Sequence, residues 1–401
     1  MIDKKILVIA NYPVVQPRDG GQKRVAAIIS EYKKVFRQVR FVAVFKGHYA
    51  RYRRNDIYVR ANGGWPNHLI PFIGDLVAGE AIFSDPRIRK KITKLLLSYR
   101  PDIIQIEQSF PYIGLKPLLE SLDLHPKIIL SSHNIEHRMK AEIRKGRGVR
   151  VSQAKPIIEI IHKTEESLSR DADLTIAVSE QDMQAHQKMG SKKCIIAPNG
   201  IAKMSPSSAA VDHWKRYLNS RGIEHVVTFV GSAHPPNWVG FLTTVGDRMC
   251  FLAPNTRLLL AGSVADYFDQ NLRDGSPAHL TFWRRVIPVG RLSEDRLAGL
   301  ISVSDVLILP ITEGGGSNLK TAEAILSGLK VVATKYAFRS FEAYMSLPNI
   351  YIADSPEAFR QAIVSAINTP LKKRTESQQN LAEKVQWHFS LHNAVEEVKK
   401  L

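Results

Sequence analysis

Short apolar segments of strand length alternate with helical segments along the whole chain, and this alternation constrains the fold more than any other feature. In residues 1–200, apolar runs predict strands over residues 6–10, 39–45, 102–107, 127–131, 174–178 and 194–197. Between them, the sequence predicts helices over residues 23–35, 88–99 and 152–169, and a loop containing Pro and Gly over residues 11–22. Such alternation is typical of a parallel sheet covered on both faces.

Residues 201–401 repeat this plan. Strands are predicted over residues 226–230, 257–261, 281–282 with 286–287, 306–309 and 331–333. The repetition predicts an α/β protein with two doubly wound, Rossmann-like domains. The Pro-, Ser- and Asn-rich stretch 199–206 marks the expected boundary, and residues 377–401 predict an amphipathic helix.

Composition narrows the class of protein. The length of 401 residues suits two domains, and an apolar fraction of 44% supports two cores. Two cysteines, Cys194 and Cys250, argue against a disulfide framework and a structural zinc site, and they favour a reduced, cytosolic setting. The N-terminus does not resemble a signal peptide, and no apolar run is long enough to predict a transmembrane helix.

The positive charge is concentrated in the first half of the chain. The net charge is +18, and residues 1–100 alone carry 20 Lys and Arg against 7 Asp and Glu. The basic runs 51–54 and 87–91 contribute most visibly. Such a surface attracts an anionic membrane or nucleic acid. The alternative is that the basic surface only increases solubility. The segment Tyr49–Arg54 is therefore either a membrane-facing loop or a solvated one.

A glycine-rich turn in the second half predicts a phosphate site. Gly314, Gly315 and Gly316 follow an apolar strand, and a helix is predicted from Asn318 to Gly328. Amide groups at a helix N-terminus bind phosphate. Lys320 and Glu323 share one helix face, where the lysine can hold a phosphate and the carboxylate a ribose. An ordinary strand-to-helix turn is the alternative, since neither standard nucleotide-binding motif is present.

Ligands of doubly wound sheets bind beyond the carboxyl ends of the strands. Three loops lie there, over residues 11–22, 131–136 and 314–318, and two facing domains are expected to bring them together across a cleft. His133 follows the strand over residues 127–131 and is a candidate site residue, with a strand-end cap as its alternative role. His133 and Glu136 are three residues apart but have no third partner in spacing, so no metal site is predicted. Glu107 ends a strand and either faces an acceptor or is structural.

Several segments, in order and spacing, resemble the GT-B glycosyltransferases of family 4, which are retaining and use nucleotide sugars. The matching segments span nearly the whole chain and are residues 20–24, 132–136, 172–179, 198–200, 229–232, 260–262, 289–292 and 313–334. The resemblance implies an acceptor-binding domain over residues 1–203, a nucleotide-sugar domain over residues 204–380 and a helix over residues 381–401 that crosses back to the first domain.

The resemblance also implies site residues. His133 and Glu323 are implied as catalytic, with Glu323 holding the ribose hydroxyls. The implied donor-binding residues are Gly20, Gly21, Gly290, Arg291, Gly316, Ser317, Asn318, Leu319, Lys320 and Glu323. No metal and no cofactor are implied besides the nucleotide sugar itself.

Two departures from the family pattern concern the charge of the site. Gly315 stands where the family has the first glutamate of its paired glutamates, and Glu313 lies two residues earlier. The segment 232–237 replaces the usual arginine and lysine after the strand that ends near Gly231. Lys320 is therefore the first candidate to balance the diphosphate charge, and Arg339 is the second.

The implied function is transfer of a hexose from a nucleotide-diphosphate sugar to a glycan or lipid-linked acceptor, in surface polysaccharide biosynthesis. The basic first domain is expected to dock on the cytosolic face of an anionic membrane, with no nucleic acid as partner. The alternatives are a GT-B sugar-nucleotide epimerase, a catalytically inactive scaffold of the same fold, and a nucleic-acid-binding protein that uses the basic half.

Overall fold

The computed structural model of the protein describes residues 1–17, 19–49, 51–146, 148–314 and 318–401. They form two compact units. Unit 1 contains residues 1–199 and the C-terminal residues 387–401, and unit 2 contains the described residues from 200 to 386.

Unit 1 is built on a parallel sheet with helices on both faces. Its strands are β1 (Ile2–Ala10), β2 (Phe36–Phe45), β3 (Ile57–Tyr58), β4 (Ile103–Glu107), β5 (Lys127–Ser131), β6 (Leu174–Ala177) and β7 (Cys194–Ile196), in the order β3-β2-β1-β4-β5-β6-β7. Its first helices are α1 (Gly20–Val35), α2 (Ile70–Ser84), α3 (Pro86–Tyr99), α4 (Tyr112–Ser121), α5 (Glu136–Gly146), α6 (Val151–Asp171) and α7 (Glu180–Lys188). The central strand β1 alternates its apolar side chains between two buried clusters, one on each face of the sheet.

Helix α1 begins three residues earlier than the sequence predicted. Asp19 accepts a hydrogen bond from the backbone N–H of Gln22, and the Gln22 side chain returns to the Asp19 backbone, which forms a capping box. Gly20 and Gly21 therefore lie in the first turn of the helix, and the predicted loop over residues 11–22 is shorter. The sequence predicted a later start for this helix because glycine has a low helix propensity.

Unit 2 repeats the architecture. Its strands are β8 (His225–Val230), β9 (Thr256–Ala261), β10 (Val286–Gly290), β11 (Val306–Leu309), β12 (Lys330–Ala333) and β13 (Ile350–Ile352), which pair in parallel in the order β10-β9-β8-β11-β12-β13. Its helices are α8 (Ser208–Asn219), α9 (Pro235–Thr244), α10 (Val264–Asn271), α11 (Pro277–Arg285), α12 (Glu294–Ser302), α13 (Leu319–Ser327), α14 (Pro356–Asn368) and α15 (Glu376–Glu383). The predicted fold class of two Rossmann-like α/β domains is confirmed.

The strand prediction for residues 281–282 is wrong, because these residues lie in α11. Ser276 caps this helix by accepting a hydrogen bond from the backbone N–H of His279, and Pro277 occupies its first turn. Phe282 is fully buried in the core of unit 2 from the helix. An apolar pair of this length does not distinguish a short strand from one buried helix turn.

The C-terminal segment forms short helices rather than one. Helix α15 packs on unit 2, and two further helices, α16 (Trp387–Ser390) and α17 (His392–Lys399), belong to unit 1. Helix α17 buries Ala394, Val395 and Val398 in the core of unit 1. Glu397 on this helix pairs with Lys193, so burial and charge both hold the segment there.

The chain passes from unit 1 to unit 2 between residues 199 and 200 and returns to unit 1 between residues 386 and 387. The sequence predicted these boundaries at 203/204 and 380/381. The backbone N–H of Ile201 donates to the carbonyl of Val385 at 2.9 Å, and Ile201 also forms a bridge with Gln386. The segment that enters unit 2 near Ile201 and the segment that leaves it near Gln386 therefore lie side by side within unit 2.

Candidate active site

His133 lies in unit 1, just beyond the carboxyl end of β5, and its ring is held on both edges. The side chain is buried. Its Nε2 lies 2.8 Å from Oε2 of Glu107, and its Nδ1 lies 3.1 Å from the hydroxyl of Tyr12. Tyr12 lies two residues beyond the carboxyl end of β1, so neighbouring strands place both partners at one edge of the sheet.

A chain of buried hydrogen bonds continues behind the histidine. Glu107 is fully buried at the end of β4, and its Oε1 accepts a hydrogen bond from Nε2 of Gln105 at 2.5 Å. Oε1 of Gln105 in turn accepts from the hydroxyl of Tyr32 at 2.5 Å. Glu107 therefore holds His133 from inside the protein and does not face an acceptor, which decides between the two roles that the sequence left open.

The partners of His133 specify how its ring is protonated. A carboxylate only accepts hydrogen bonds, so Nε2 carries the proton that bonds Glu107. In the neutral ring Nδ1 then accepts from the hydroxyl of Tyr12. Burial raises the pKa of Tyr12 well above its usual value, and the charge of Glu107 raises it further, so the phenol stays protonated as this donor.

Gly21 lies against this pair. A Cβ atom on Gly21 would lie 2.9 Å from the Tyr12 hydroxyl and 3.4 Å from Nδ1 of His133. The first turn of α1, which contains Gly20 and Gly21, therefore packs next to His133. Any side chain at Gly21 would displace Tyr12 or the helix.

Glu136 begins α5 close to this centre and has an unusual environment. Its carboxyl group is buried, and neither of its oxygens accepts a hydrogen bond of good geometry. Burial raises the pKa of Glu136 well above its usual value, and the nearby Glu165 raises it further. Glu165 accepts hydrogen bonds from the backbone N–H groups of Glu136 and His137 at 2.6 and 3.0 Å, so it caps the helix.

Within the described part of the chain, no group of three His, Cys, Asp or Glu side chains is arranged to hold a metal.

Arg24 of α1 is a site neighbour whose burial the sequence did not indicate. It is fully buried, and its Nη1 donates to the carbonyl of Ala197 at 2.8 Å and to Oδ1 of Asn199 at 3.2 Å. Burial lowers the pKa of Arg24, and the charge of Glu107 opposes that shift. The arginine thus ties α1 to the last residues of the first segment of unit 1.

In unit 2, helix α13 begins and ends where the sequence predicted. Oδ1 of Asn318 accepts a hydrogen bond from the backbone N–H of Lys320 at 3.2 Å, which caps the helix before Leu319. Gly328 ends it in the left-handed conformation, with φ of 74°. The predicted site residues Gly316 and Ser317 lie outside the described residues.

Lys320 points to the segment that replaces the family's usual cations. Its ammonium donates to Oδ1 of Asn237 at 2.5 Å. The Asn237 amide donates in turn to the carbonyl and the hydroxyl of Ser232 at 2.9 and 3.0 Å. Burial lowers the pKa of Lys320 to about 8, although the charge of Glu323 opposes the shift. A bound anion would favour the charged form of this lysine.

Arg339 lies beside the glycine turn. Its guanidinium lies 4.6 Å from the ring centroid of Tyr336, and the Tyr336 hydroxyl donates to the carbonyl of Gly314 at 2.5 Å. A Cβ atom on Gly314 would come within 4.0 Å of the arginine. Of the two cations that the sequence nominated, Arg339 thus lies near Gly314 and Lys320 lies in the first turn of α13, while Glu313 is exposed.

Glu323 lies one turn further along α13 and lines a pocket of about 340 Å³. Its other lining residues belong to the segment that enters unit 2 and to the C-terminal parts of α12 and α13: Ile201, Ala202, Lys203, Met204, Pro206, Ala298, Ile301, Ser302, Leu326, Ser327 and Leu329. Gly290 and Arg291 lie at the end of β10, just before α12; Gly290 has a positive φ of 66° and Arg291 is exposed. A partly apolar pocket with one carboxylate suits a nucleoside, whose base is flat and whose ribose offers hydroxyl donors.

Two family descriptions match most of the chain. Glycosyltransferase Family 4 matches residues 19–203, and Glycosyl transferases group 1 matches residues 224–369. The chain belongs to the family 4 glycosyltransferases of the GT-B fold. No curated protein sequence matches it.

Solved structures of this glycosyltransferase fold cover nearly the whole chain. A sucrose-phosphate synthase from Thermosynechococcus elongatus is 15% identical with a TM-score of 0.70, and the alignment covers 99% of this chain and 98% of that one. HepE from Anabaena in complex with UDP is 16% identical with a TM-score of 0.64, covering 99% and 100%. WaaG, a glycosyltransferase involved in lipopolysaccharide biosynthesis, is 13% identical with a TM-score of 0.61, covering 98% of each. At these identities the likeness concerns the fold.

Proposed function

We propose that this glycosyltransferase moves a hexose, with retention of configuration, from a nucleotide-diphosphate sugar to a glycan or lipid-linked acceptor in surface polysaccharide biosynthesis. The observation that carries the proposal is the Lys320–Asn237 hydrogen bond at the capped N-terminus of α13. It places a cation beside helix amides that favour an anion.

The proposed donor site divides into two parts along α13. The diphosphate binds at the helix N-terminus, where Lys320 and Arg339 balance its charge and Asn318 and Leu319 position the first turn. The nucleoside enters the pocket beside Glu323, whose carboxylate accepts hydrogen bonds from the ribose. Because the similar solved structures include HepE in complex with UDP and with UDP-glucose, UDP-sugars are the first donors to test.

A nucleoside diphosphate becomes a good leaving group once its charge is neutralised. Preorganised donors of this kind each contribute about 2–4 kcal/mol of transition-state stabilisation. We propose that the helix amides and Lys320 supply this effect without a metal. His133 lies beside Gly21 in unit 1 and is proposed to contact the transferred sugar and its phosphate, with Glu107 fixing the orientation of the ring.

The acceptor is assigned to unit 1, the more basic part of the chain. Among the described residues, no helix has the length and apolar character that crossing a bilayer requires. We propose that the enzyme binds peripherally to the cytosolic face of an anionic membrane, where lysine and arginine near the surface each contribute about 1 kcal/mol.

The experiment is an NMR assay of the purified chain with UDP-, GDP- and ADP-hexoses, with and without membrane glycolipid extract. We expect consumption of one donor, acceleration by extract, and a product whose anomeric coupling matches that of the donor. An inverted product would contradict retention. Conversion of a donor into its epimer without acceptor would replace the proposal with the epimerase alternative, and no reaction with any donor would favour the inactive scaffold.

A further inference from the structure

A group of aromatic side chains gathers at the end of β2, in a part of unit 1 that the site above does not use. Phe45 lies at its centre. The ring centroids of Tyr49, Tyr52 and Tyr58 lie 5.4, 5.2 and 5.6 Å from that of Phe45. With Gly47 and His48 they line an open pocket of about 600 Å³, a size typical of small-ligand sites.

The loop that carries these rings is held in place at both ends. The carboxylate of Asp56 accepts hydrogen bonds from the backbone N–H groups of Ala43 and Arg53 at 3.0 and 2.7 Å. The ammonium of Lys46 donates to the backbone carbonyls of residues 59, 60 and 61 at 3.3, 3.1 and 2.9 Å. Because the loop is already ordered, a ligand that binds here pays a smaller conformational-entropy cost than a ligand that must first order a flexible loop.

The lining chemistry suits a sugar ring. Apart from Gly47, every side chain that lines the pocket is aromatic or an imidazole, and Tyr52 and Tyr58 are 53% and 43% exposed. The electron-rich faces of such rings pack on the C–H bonds of a pyranose, while tyrosine hydroxyls bond its hydroxyl groups.

Charge around the pocket selects the kind of sugar. Arg51, Arg53 and Arg54 are exposed on the same loop. Aromatic cages also bind cations, but three neighbouring arginines oppose a cationic ligand. They favour a saccharide that carries a carboxylate or phosphate.

The pocket lies next to the His133 end of the sheet. Phe45 ends β2, which pairs in parallel with β1, and Tyr12 lies just beyond the carboxyl end of β1, so the pocket and the Tyr12–His133 pair lie at the same edge of the sheet. Burial also raises the pKa of Tyr49, and the charges of Asp75 and Asp19 raise it further. Asp19 caps the helix turn whose Gly21 contacts the Tyr12–His133 pair. A glycan bound at the pocket could therefore extend toward His133.

We propose that the pocket of Phe45, Tyr49, Tyr52 and Tyr58 binds one sugar residue of an anionic glycan acceptor. The inference rests on the proposed function and deepens it, because it names the class of acceptor and the residues that hold it. Tyr52 and Tyr58 supply the stacking faces, and the arginines of the loop attract the acidic group.

The test is calorimetric titration of the full chain, without any nucleotide sugar, by a glucuronate-containing tetrasaccharide and by its neutral, carboxyl-reduced form. We expect the acidic form to bind more tightly, and its Kd to rise about tenfold in Tyr52→Ala and in Tyr58→Ala, since each loses an aromatic contact. Tyr52→Phe keeps the ring and most of the affinity. Phe389→Ala removes an aromatic residue of similar exposure, 47%, elsewhere in unit 1 and should leave the Kd unchanged.

An unchanged Kd in both alanine variants would overturn the inference, as would absence of saccharide binding to the wild-type chain. Parallel titrations with a single-stranded oligonucleotide and with anionic vesicles identify the rival occupants. If either binds in place of the saccharide and is lost in the tyrosine variants, the pocket serves that partner instead. Because no donor is present, these results are independent of whether the chain binds a nucleotide sugar, which decides the proposed function separately.

Discussion

Nε2 of His133 lies 2.8 Å from the fully buried Oε2 of Glu107, although the two residues are 26 positions apart in the chain. The carboxylate orients the imidazole and specifies which nitrogen carries the proton, while Tyr12 occupies the other nitrogen. The histidine is therefore held in place from inside the sheet before any substrate arrives.

Glu107→Gln tests whether this carboxylate acts through His133. The amide can turn its NH₂ group to the ring and favour the other tautomer, so we expect kcat/KM for transfer to fall by about 10²-fold. In the double variant with His133→Ala, kcat/KM should be only slightly lower than in His133→Ala alone. The reason is that Glu107 and His133 act together, so removing either one abolishes the same interaction. The matched control is Glu120→Gln, at an exposed position of α4. Additive losses in the double variant would show that Glu107 acts independently of His133.

Gly21→Ala tests the close approach of α1 to the same centre. The added methyl group meets the Tyr12 hydroxyl, so we expect a destabilisation of about 1–3 kcal/mol, measured by thermal unfolding. The double variant Gly21→Ala/Tyr12→Phe removes the hydroxyl and should recover much of that loss. If Tyr12→Phe gives no recovery, the crowding described here is not the cause.

Lys320 makes donor binding pH-dependent. Its pKa is about 8 in the free protein, and a bound diphosphate raises it by favouring the ammonium form. Affinity for a nucleotide sugar should therefore be full below about pH 8 and fall, by up to about tenfold per pH unit, as pH rises above that value. Calorimetry in buffers of different ionisation enthalpy should show proton uptake near pH 8.5. A pH-independent affinity from pH 7 to 9.5 would contradict this account.

Asn237→Asp tests the partner of that lysine. A carboxylate beside Lys320 raises the pKa of the lysine and competes with the diphosphate for its charge. We expect the Kd of the nucleotide sugar to rise about tenfold or more and the decline in affinity to move to higher pH, given that charged hydrogen bonds contribute about 1.5–3 kcal/mol. Asn271→Asp, on an exposed position of α10, serves as the control. Equal affinities of both variants would place the diphosphate away from Lys320.

Local signals in the sequence account for much of the fold. Apolar runs predicted the strands from β1 to β12 apart from the short edge strand β3, and Asn318 and Gly328 marked both ends of α13. These features depend on neighbours within a few residues, which a sequence displays directly. The failure at Thr281–Phe282 has the same origin, because a short apolar pair is compatible with a strand or a buried helix turn.

The site residues were only partly predictable. The sequence nominated His133, Lys320 and Glu323, but the contacts that position them join distant parts of the chain. Tyr12 reaches His133 across 121 residues, and Asn237 reaches Lys320 across 83. Periodicity indicates that a side chain is buried but not which side chain it meets. The position of Glu107 at the end of a strand, and of Tyr12 two residues beyond another, were the available signals.

The central claim is that the N-terminus of α13 binds the diphosphate of a nucleotide sugar. The most direct measurement is calorimetric titration of UDP-, GDP- and ADP-hexoses at pH 7 into the wild-type chain and into Lys320→Met, with Lys215→Met, at an exposed position of α8, as the control. The account predicts that one donor binds the wild type and the control alike, and binds Lys320→Met about 10- to 100-fold more weakly. It would be contradicted if no donor bound the wild type, or if Lys320→Met bound the donor as tightly as the wild type does.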